Sequence, residues 1–151
     1  MKSVRKSVLV PYSPQDMFDL VSHVPAYPQF LPWCSFARVL QTLPNGKVAE
    51  VGIGLGGLQQ SFVTRNTELP GQQIDIRLVR GPFSDLHGQW RFERTGAEAA
   101  PVCRVQLDLN YRFSNFLLAR LIGPVFDKIA TTMVDAFTQR AHHVYGRAGK
   151  P

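Results

Sequence analysis

Polar and apolar residues along this chain first alternate, then step with helical spacing, then alternate again until a long helical stripe closes the sequence. In KSVRKSVLV, residues 2–10, Val4, Lys6, Val8 and Val10 fall on one side and Ser3, Arg5, Ser7 and Leu9 on the other, which predicts a strand. YSPQDMFDLVSHV then opens a helix. Ser13 suits its N-cap, Pro14 its first position and Asp16 its first turn, and Met17, Leu20, Val21 and Val24 make the apolar stripe. Pro25 is expected to close it.

The next segment, VPAYPQFLPWCSF (24–36), packs three prolines, four aromatic rings and a cysteine together without a charge. Pro25, Pro28 and Pro32 disfavour helix at the residues before them and rule out a central strand. The expectation is an irregular apolar loop stiffened by proline, a flap that closes over one end of a core or touches a membrane.

From Phe36 the period is two. FARVLQTL and KVAEVGIGL are joined by PNG, a hairpin signal; GG turns into QQSFVTRNTEL, PGQ into QIDIRLV, and GPFSD leads to LHGQWRFER. After TGAEAAP, the run VCRVQLDLNYRF places Cys103, Val105, Leu107, Leu109, Tyr111 and Phe113 on one face and Arg104, Gln106, Asp108, Asn110 and Arg112 on the other. One face is buried and one is wet.

Residues 115–145 return to helical spacing, with Leu118, Ile122, Val125, Phe126, Ile129, Met133, Phe137, Ala141 and Val144 in one stripe. Gly123 and Pro124 predict a short first piece and a kink or restart at the proline. From there the helix would run about 33 Å, enough to cross a sheet. Strand, helix, loop, six strands and long helix together read as an α+β domain, residues 1–147: a curved antiparallel sheet of about seven strands around a C-terminal helix, followed by a flexible basic tail, 148–151. The rings, ten Phe, four Tyr and two Trp, either line a tunnel or pack the interior solid.

Composition narrows this picture. The 151 residues are 44% hydrophobic and 19% charged, with two cysteines, ordinary for one folded soluble domain. Cys34 and Cys103 match no metal spacing and read as reduced buried thiols. MKSVRK is followed by an apolar run too short for a signal sequence, and no run could span a bilayer, so the protein is expected in the cytoplasm. The net charge of +6 sits at the two ends: residues 1–10 are +3, residues 114–151 are +3, and the stretch between is neutral. Lys2, Arg5, Lys6, Arg120, Lys128, Arg140, Arg147 and Lys150 are therefore the candidates for contact with RNA phosphates or an anionic lipid surface.

Catalytic signals are weak. GIGLGG satisfies GxGxxG through Gly52, Gly54 and Gly57, but a strand pattern follows where a dinucleotide site needs a helix, so these read as hairpin glycines that also allow close approach to the sheet. His23 lies at a helix end, His87 points away from the face of Leu86, Gly88 and Trp90, and the adjacent His142 and His143 diverge too far to share a metal. Cys34 has no neighbouring cation to activate it.

Three separated motifs carry a likeness: YPQFLPWC; GPF at 81–83 followed by Leu86, Gly88 and WRF at 90–92; and VFDKIATTMVDAFTQRAHHVYG. In this the chain resembles the coenzyme Q-binding START-domain family, a polyketide cyclase-like group whose bacterial branch includes a ribosome-association toxin. The resemblance covers nearly the whole chain. It implies a helix-grip fold with an apolar cavity between sheet and helix, binding of ubiquinone or a similar isoprenoid quinone in support of respiration, and no catalysis, metal or cofactor beyond that ligand. For the toxin branch it implies binding to the large ribosomal subunit and inhibition of subunit joining; DNA is not among the expected partners, and transient contact with the inner membrane surface is. A cyclase or hydrolase reading is a third option, for which no paired acid and base declare themselves. On the quinone reading, Tyr27, Phe30, Leu31, Trp33, Leu78, Phe83, Trp90 and Phe92 line the cavity, with Phe126, Ile129, Met133 and Phe137 from the long helix.

Overall fold

The computed structural model describes residues 1–96 and 102–148. Its elements are β1 (Lys2–Val10), α1 (Pro14–Ser22), a 3-10 helix (Val24–Gln29), β2 (Cys34–Leu43), β3 (Gly46–Leu55), β4 (Leu58–Leu69), β5 (Gln73–Arg80), β6 (Phe83–Thr95), β7 (Val102–Phe113) and α2 (Phe116–Ala148). The strands form one antiparallel sheet in the order β1-β7-β6-β5-β4-β3-β2. Each strand from β2 to β6 pairs with its successor, and β1 closes onto β7 from the far side. The helices cover one face of the curved sheet, the helix-grip arrangement. The TGAEAAP segment from Ala97 onward and residues 149–151 of the basic tail lie outside the described residues.

Local chemistry sets these elements as expected in several places. Ser13 caps α1 by accepting from the Asp16 amide at 3.0 Å, with Pro14 in the first turn. Along β7 the inward face is buried from Cys103 through Tyr111, while Arg104 and Arg112 are exposed. The GxGxxG glycines belong to the β3–β4 hairpin, where Gly56 and Gly57 take positive φ of 60° and 83°. What approaches Gly52 closely is the ring of Phe36 from the neighbouring strand.

Three expectations are corrected. First, Val24–Gln29 is not irregular: it is a 3-10 helix that accommodates Pro25 and Pro28. Its hydrogen bonds are donated by residues that have an N–H, with Ala26 bonding the His23 carbonyl at 3.3 Å and Phe30 the Tyr27 carbonyl at 3.2 Å. Helix α1 accordingly ends at Ser22, before Val24. Second, Phe83 already belongs to β6, and the register against β7 shifts between Phe83 and Asp85, a bulge at Ser84. Third, α2 is continuous over 33 residues and passes through Pro124 without restarting. Pro124 and Arg120 are both exposed, so the carbonyl that the proline leaves without a donor lies on the water side. Asn115 starts the helix, its side chain accepting from the Leu118 amide at 2.9 Å.

The core is the layer between sheet and α2. The Phe126 ring meets Tyr111 at 4.7 Å and Phe83 at 4.9 Å between centroids, and Phe137 meets Phe30 at 5.1 Å and Trp90 at 5.3 Å. Edge-to-face pairs of this kind add to the 1.5–3 kcal/mol, roughly, that each buried large side chain contributes.

Candidate functional site: an apolar cavity and a basic edge

Between the sheet and α2 an apolar cavity of about 80 Å³ remains unfilled. β3 contributes Ala49 and Val51 to its wall; β4 Phe62, Thr64 and Asn66; β5 Ile76; β6 Leu86 and Trp90; β7 Leu107 and Leu109. Val24, Tyr27 and Trp33 close one side and Phe126 and Met133 of α2 the other. Of the residues expected there, Tyr27, Trp33, Trp90, Phe126 and Met133 line it. Leu31, Phe83, Phe92, Ile129 and Phe137 do not; they are buried in the packed core around it. Phe30 and Leu78 are half-buried and also stand outside. The rings compete for the same volume, and Phe92, packed between Phe18 and Trp90, has no face on the cavity.

Sequence reasoning missed the polar pair in the wall. Thr64 is 5% exposed, and its hydroxyl donates to the Asn66 side-chain oxygen at 2.8 Å. The alternation carried a signal for it: Phe62, Thr64 and Asn66 occupy one side of β4, so two polar side chains stand at inward positions. They supply the cavity with a hydroxyl and an amide in an otherwise apolar setting. Tyr27 contributes little more, because its hydroxyl donates to the Val21 carbonyl and burial raises its pKa. Among the described residues no carboxylate, histidine, lysine, arginine or cysteine lines the cavity.

The proline-rich segment is fastened down. Leu31 is 1% and Trp33 8% exposed, and Phe30 packs against Tyr27 and Phe137. Three of the segment's four rings thus pack inward while Phe36 stands 37% exposed, and Val24, Tyr27 and Trp33 close one side of the cavity.

Cys34 and Cys103 are free, buried thiols, both pushed up to about 11 by burial. Among the described residues no three potential ligands cluster to hold a metal. His87 pairs with Asp85 at 3.1 Å, and His142 meets the Tyr12 hydroxyl at 2.6 Å.

The edge strand β1 runs beside α2, so the basic β1 lies next to the helix that carries Arg120, Lys128 and Arg140. The Lys2 ammonium contacts Asp127 of α2, and Arg5 lies 3.3 Å from Asp108. Arg140 is tucked inward, donating to Gln29 at 2.9 Å with its guanidinium 5.0 Å from the Phe30 ring centroid. Lys6, Arg120 and Lys128 are exposed and, among the described residues, in no ion pair. Arg147 stands in the last turn of α2, and Lys150 lies outside the described residues.

Comparison with known proteins places this architecture. The family described as polyketide cyclase / dehydrase and lipid transport is matched over residues 10–138. The ribosome association toxin RatA of Pseudomonas aeruginosa is 43% identical over 95% of this chain and 97% of its own. The mitochondrial coenzyme Q-binding protein COQ10 homolog B of Xenopus laevis is 27% identical, over 97% of this chain and 60% of its own. Among solved structures, the 18 kDa protein CC1736 of Caulobacter crescentus superposes with a TM-score of 0.71 at 30% identity, covering 97% of this chain and 99% of that one. The ZhuI aromatase/cyclase from a Streptomyces species superposes at 0.79 over 99% of both chains, at only 16% identity, a likeness of fold. A seven-stranded sheet gripping a long helix, an apolar interior and these matches together make the chain a member of the polyketide cyclase / dehydrase and lipid transport family.

Proposed function

We propose that this protein is a non-enzymatic factor of the cytoplasm that binds the large ribosomal subunit and hinders subunit joining. The observation that carries the reading is the basic β1–α2 edge, from which Lys6 and Lys128 project, exposed and in no ion pair among the described residues. Phosphate contacts dominate RNA affinity and need little shape beyond a row of accessible cations. Support also comes from the 43% identical relative named for ribosome association and from a cavity wall that holds no acid–base pair for catalysis. The test is sedimentation of cell extract with added protein. Free subunits should accumulate at the expense of joined ribosomes, the effect should fade with salt, and Lys6→Glu with Lys128→Glu should abolish it. An unchanged profile at low salt would overturn the reading.

A second reading rests on the cavity itself, with its apolar wall and the Thr64–Asn66 pair, and on the coenzyme Q-binding relative. Its volume of about 80 Å³ is well below the roughly 300 Å³ at which small-molecule pockets begin. It holds one end of an isoprenoid quinone, and the rest requires Phe126 or Met133 to move. Organic extraction of the purified protein and mass spectrometry decide this: a co-purifying prenylated quinone supports the reading, and failure to retain added quinone ends it.

A further inference from the structure

At the start of α2 three large apolar side chains stand in water: Phe116 is 76% exposed, Leu117 65% and Leu121 60%. Met1, 56% exposed, lies beside them, along a shallow groove that runs from the start of β1 past Arg112 and Phe113 to Phe116. Single exposed leucines are ordinary, whereas a contiguous apolar patch marks a surface that meets something. The patch is confined to one end of the molecule, because farther along the outward face of α2 come Lys128, Thr131, Thr132, Asp135 and Gln139.

Charge identifies the partner. From Arg112 to Phe126 the sequence has two arginines and no acid, and both Arg112 and Arg120 are exposed, with the Arg120 guanidinium 5.9 Å from the Phe116 ring centroid. The first acid, Asp127, is taken by Lys2 and by the Tyr111 hydroxyl. The amino end of α2 adds its own positive field. Projecting apolar groups interleaved with arginines fit the boundary between anionic headgroups and acyl chains, where rings and leucines enter the hydrocarbon edge and guanidinium groups meet phosphates. Among the described residues no helix is long and apolar enough to cross a membrane, so contact would be peripheral.

We propose that the first turns of α2, through Phe116, Leu117 and Leu121 with Arg112 and Arg120, form a docking surface for an anionic lipid bilayer. Inward from it the rings of Phe113 and Phe83 are 5.1 Å apart and those of Phe83 and Phe126 4.9 Å. Phe126 lines the cavity, so a column of rings connects the lipid-facing end to the interior. The variants that test this surface leave Lys6 and Lys128 in place, so its test does not depend on ribosome binding.

The experiment is flotation of the full chain with vesicles of phosphatidylcholine, alone or mixed with phosphatidylglycerol. Binding is expected to the anionic vesicles at low salt and not to the neutral ones, and Phe116→Ser, Leu117→Ser and Leu121→Ser combined should weaken it by about tenfold or more. Because these side chains are exposed, thermal unfolding of the variant should match the parent. Arg112→Glu with Arg120→Glu should weaken binding in a separate background. Absence of vesicle binding at low salt overturns the proposal, as does a triple variant that floats like the parent. Sedimentation showing a dimer that the triple variant dissociates would instead assign the patch to a second copy of the chain. Loss of ribosome association with vesicle binding intact would assign it to RNA.

Discussion

The Tyr111 hydroxyl donates to Oδ1 of Asp127 at 2.5 Å, while Lys2 contacts the other carboxylate oxygen. One carboxylate thus ties β7, β1 and the middle of α2 together. Tyr111 is 2% exposed, and a hydrogen bond to a charged group contributes about 1.5–3 kcal/mol. Tyr111→Phe keeps the ring in place and removes the donor, so denaturant unfolding should show a loss of roughly 1.5 kcal/mol. A loss under a few tenths would mean that Lys2 alone satisfies Asp127.

At Gly88, paired with Leu109, β6 leaves no room for a side chain against β7. A Cβ there would sit 2.6 Å from the Asp108 carbonyl oxygen and 2.9 Å from a Leu109 methyl. The first of these is backbone inside a paired ladder and has nowhere to go, so Gly88→Ala should destabilise by about 1–3 kcal/mol, the range for forced overpacking. An unchanged unfolding midpoint would show that the strands separate at little cost.

Ala49 lines the cavity and is 1% exposed. Ala49→Val puts two methyl groups into the empty space, and at about 0.8 kcal/mol per buried carbon it should stabilise the fold by roughly 1 kcal/mol. The same variant should lower retention of any apolar ligand and leave ribosome sedimentation unchanged. A fall in stability would mean that the cavity has no room near β3.

Burial raises both thiols from 9.0 to about 11. The folded state therefore favours the protonated form, and this stabilisation is complete below pH 9 and is lost as pH rises from 9 towards 11. Tyr27 and Tyr111, also raised by burial, act in the same direction at higher pH. Unfolding midpoints should decline across that window, and the decline should be shallower in Cys34→Ala with Cys103→Ala. Labelling by a thiol reagent at neutral pH should require unfolding.

Pro124 sits inside α2 on its exposed side. Pro124→Ala restores a helical donor and removes a ring clash, worth up to about 3 kcal/mol, but also frees the unfolded chain. A net gain of about 1 kcal/mol in chemical unfolding is expected; a loss would show that the proline holds a bend the core needs.

Most of the elements were legible in the sequence because their signals are local. Alternation gave β1 and β7 within a residue, Ser13 and Pro14 marked the start of α1, and the stripe from Ile122 to Ala141 marked the inner side of α2. The prolines show the limit of that locality: whether Pro28 or Pro124 ends a helix depends on where the missing bond falls, at a 3-10 turn or on an exposed face. Periodicity also says that Phe92, Trp90 and Phe137 point inward, but not which of them face empty space. That was decided by the curvature of the sheet and by the competition of rings for a fixed volume, which buried Phe92 and left Thr64 and Asn66 at the cavity. In the same way the net charge of the two ends could be counted in the chain, while only the approach of β1 to α2 determined that Lys2 is spent on Asp127 and that Lys6 and Lys128 are not.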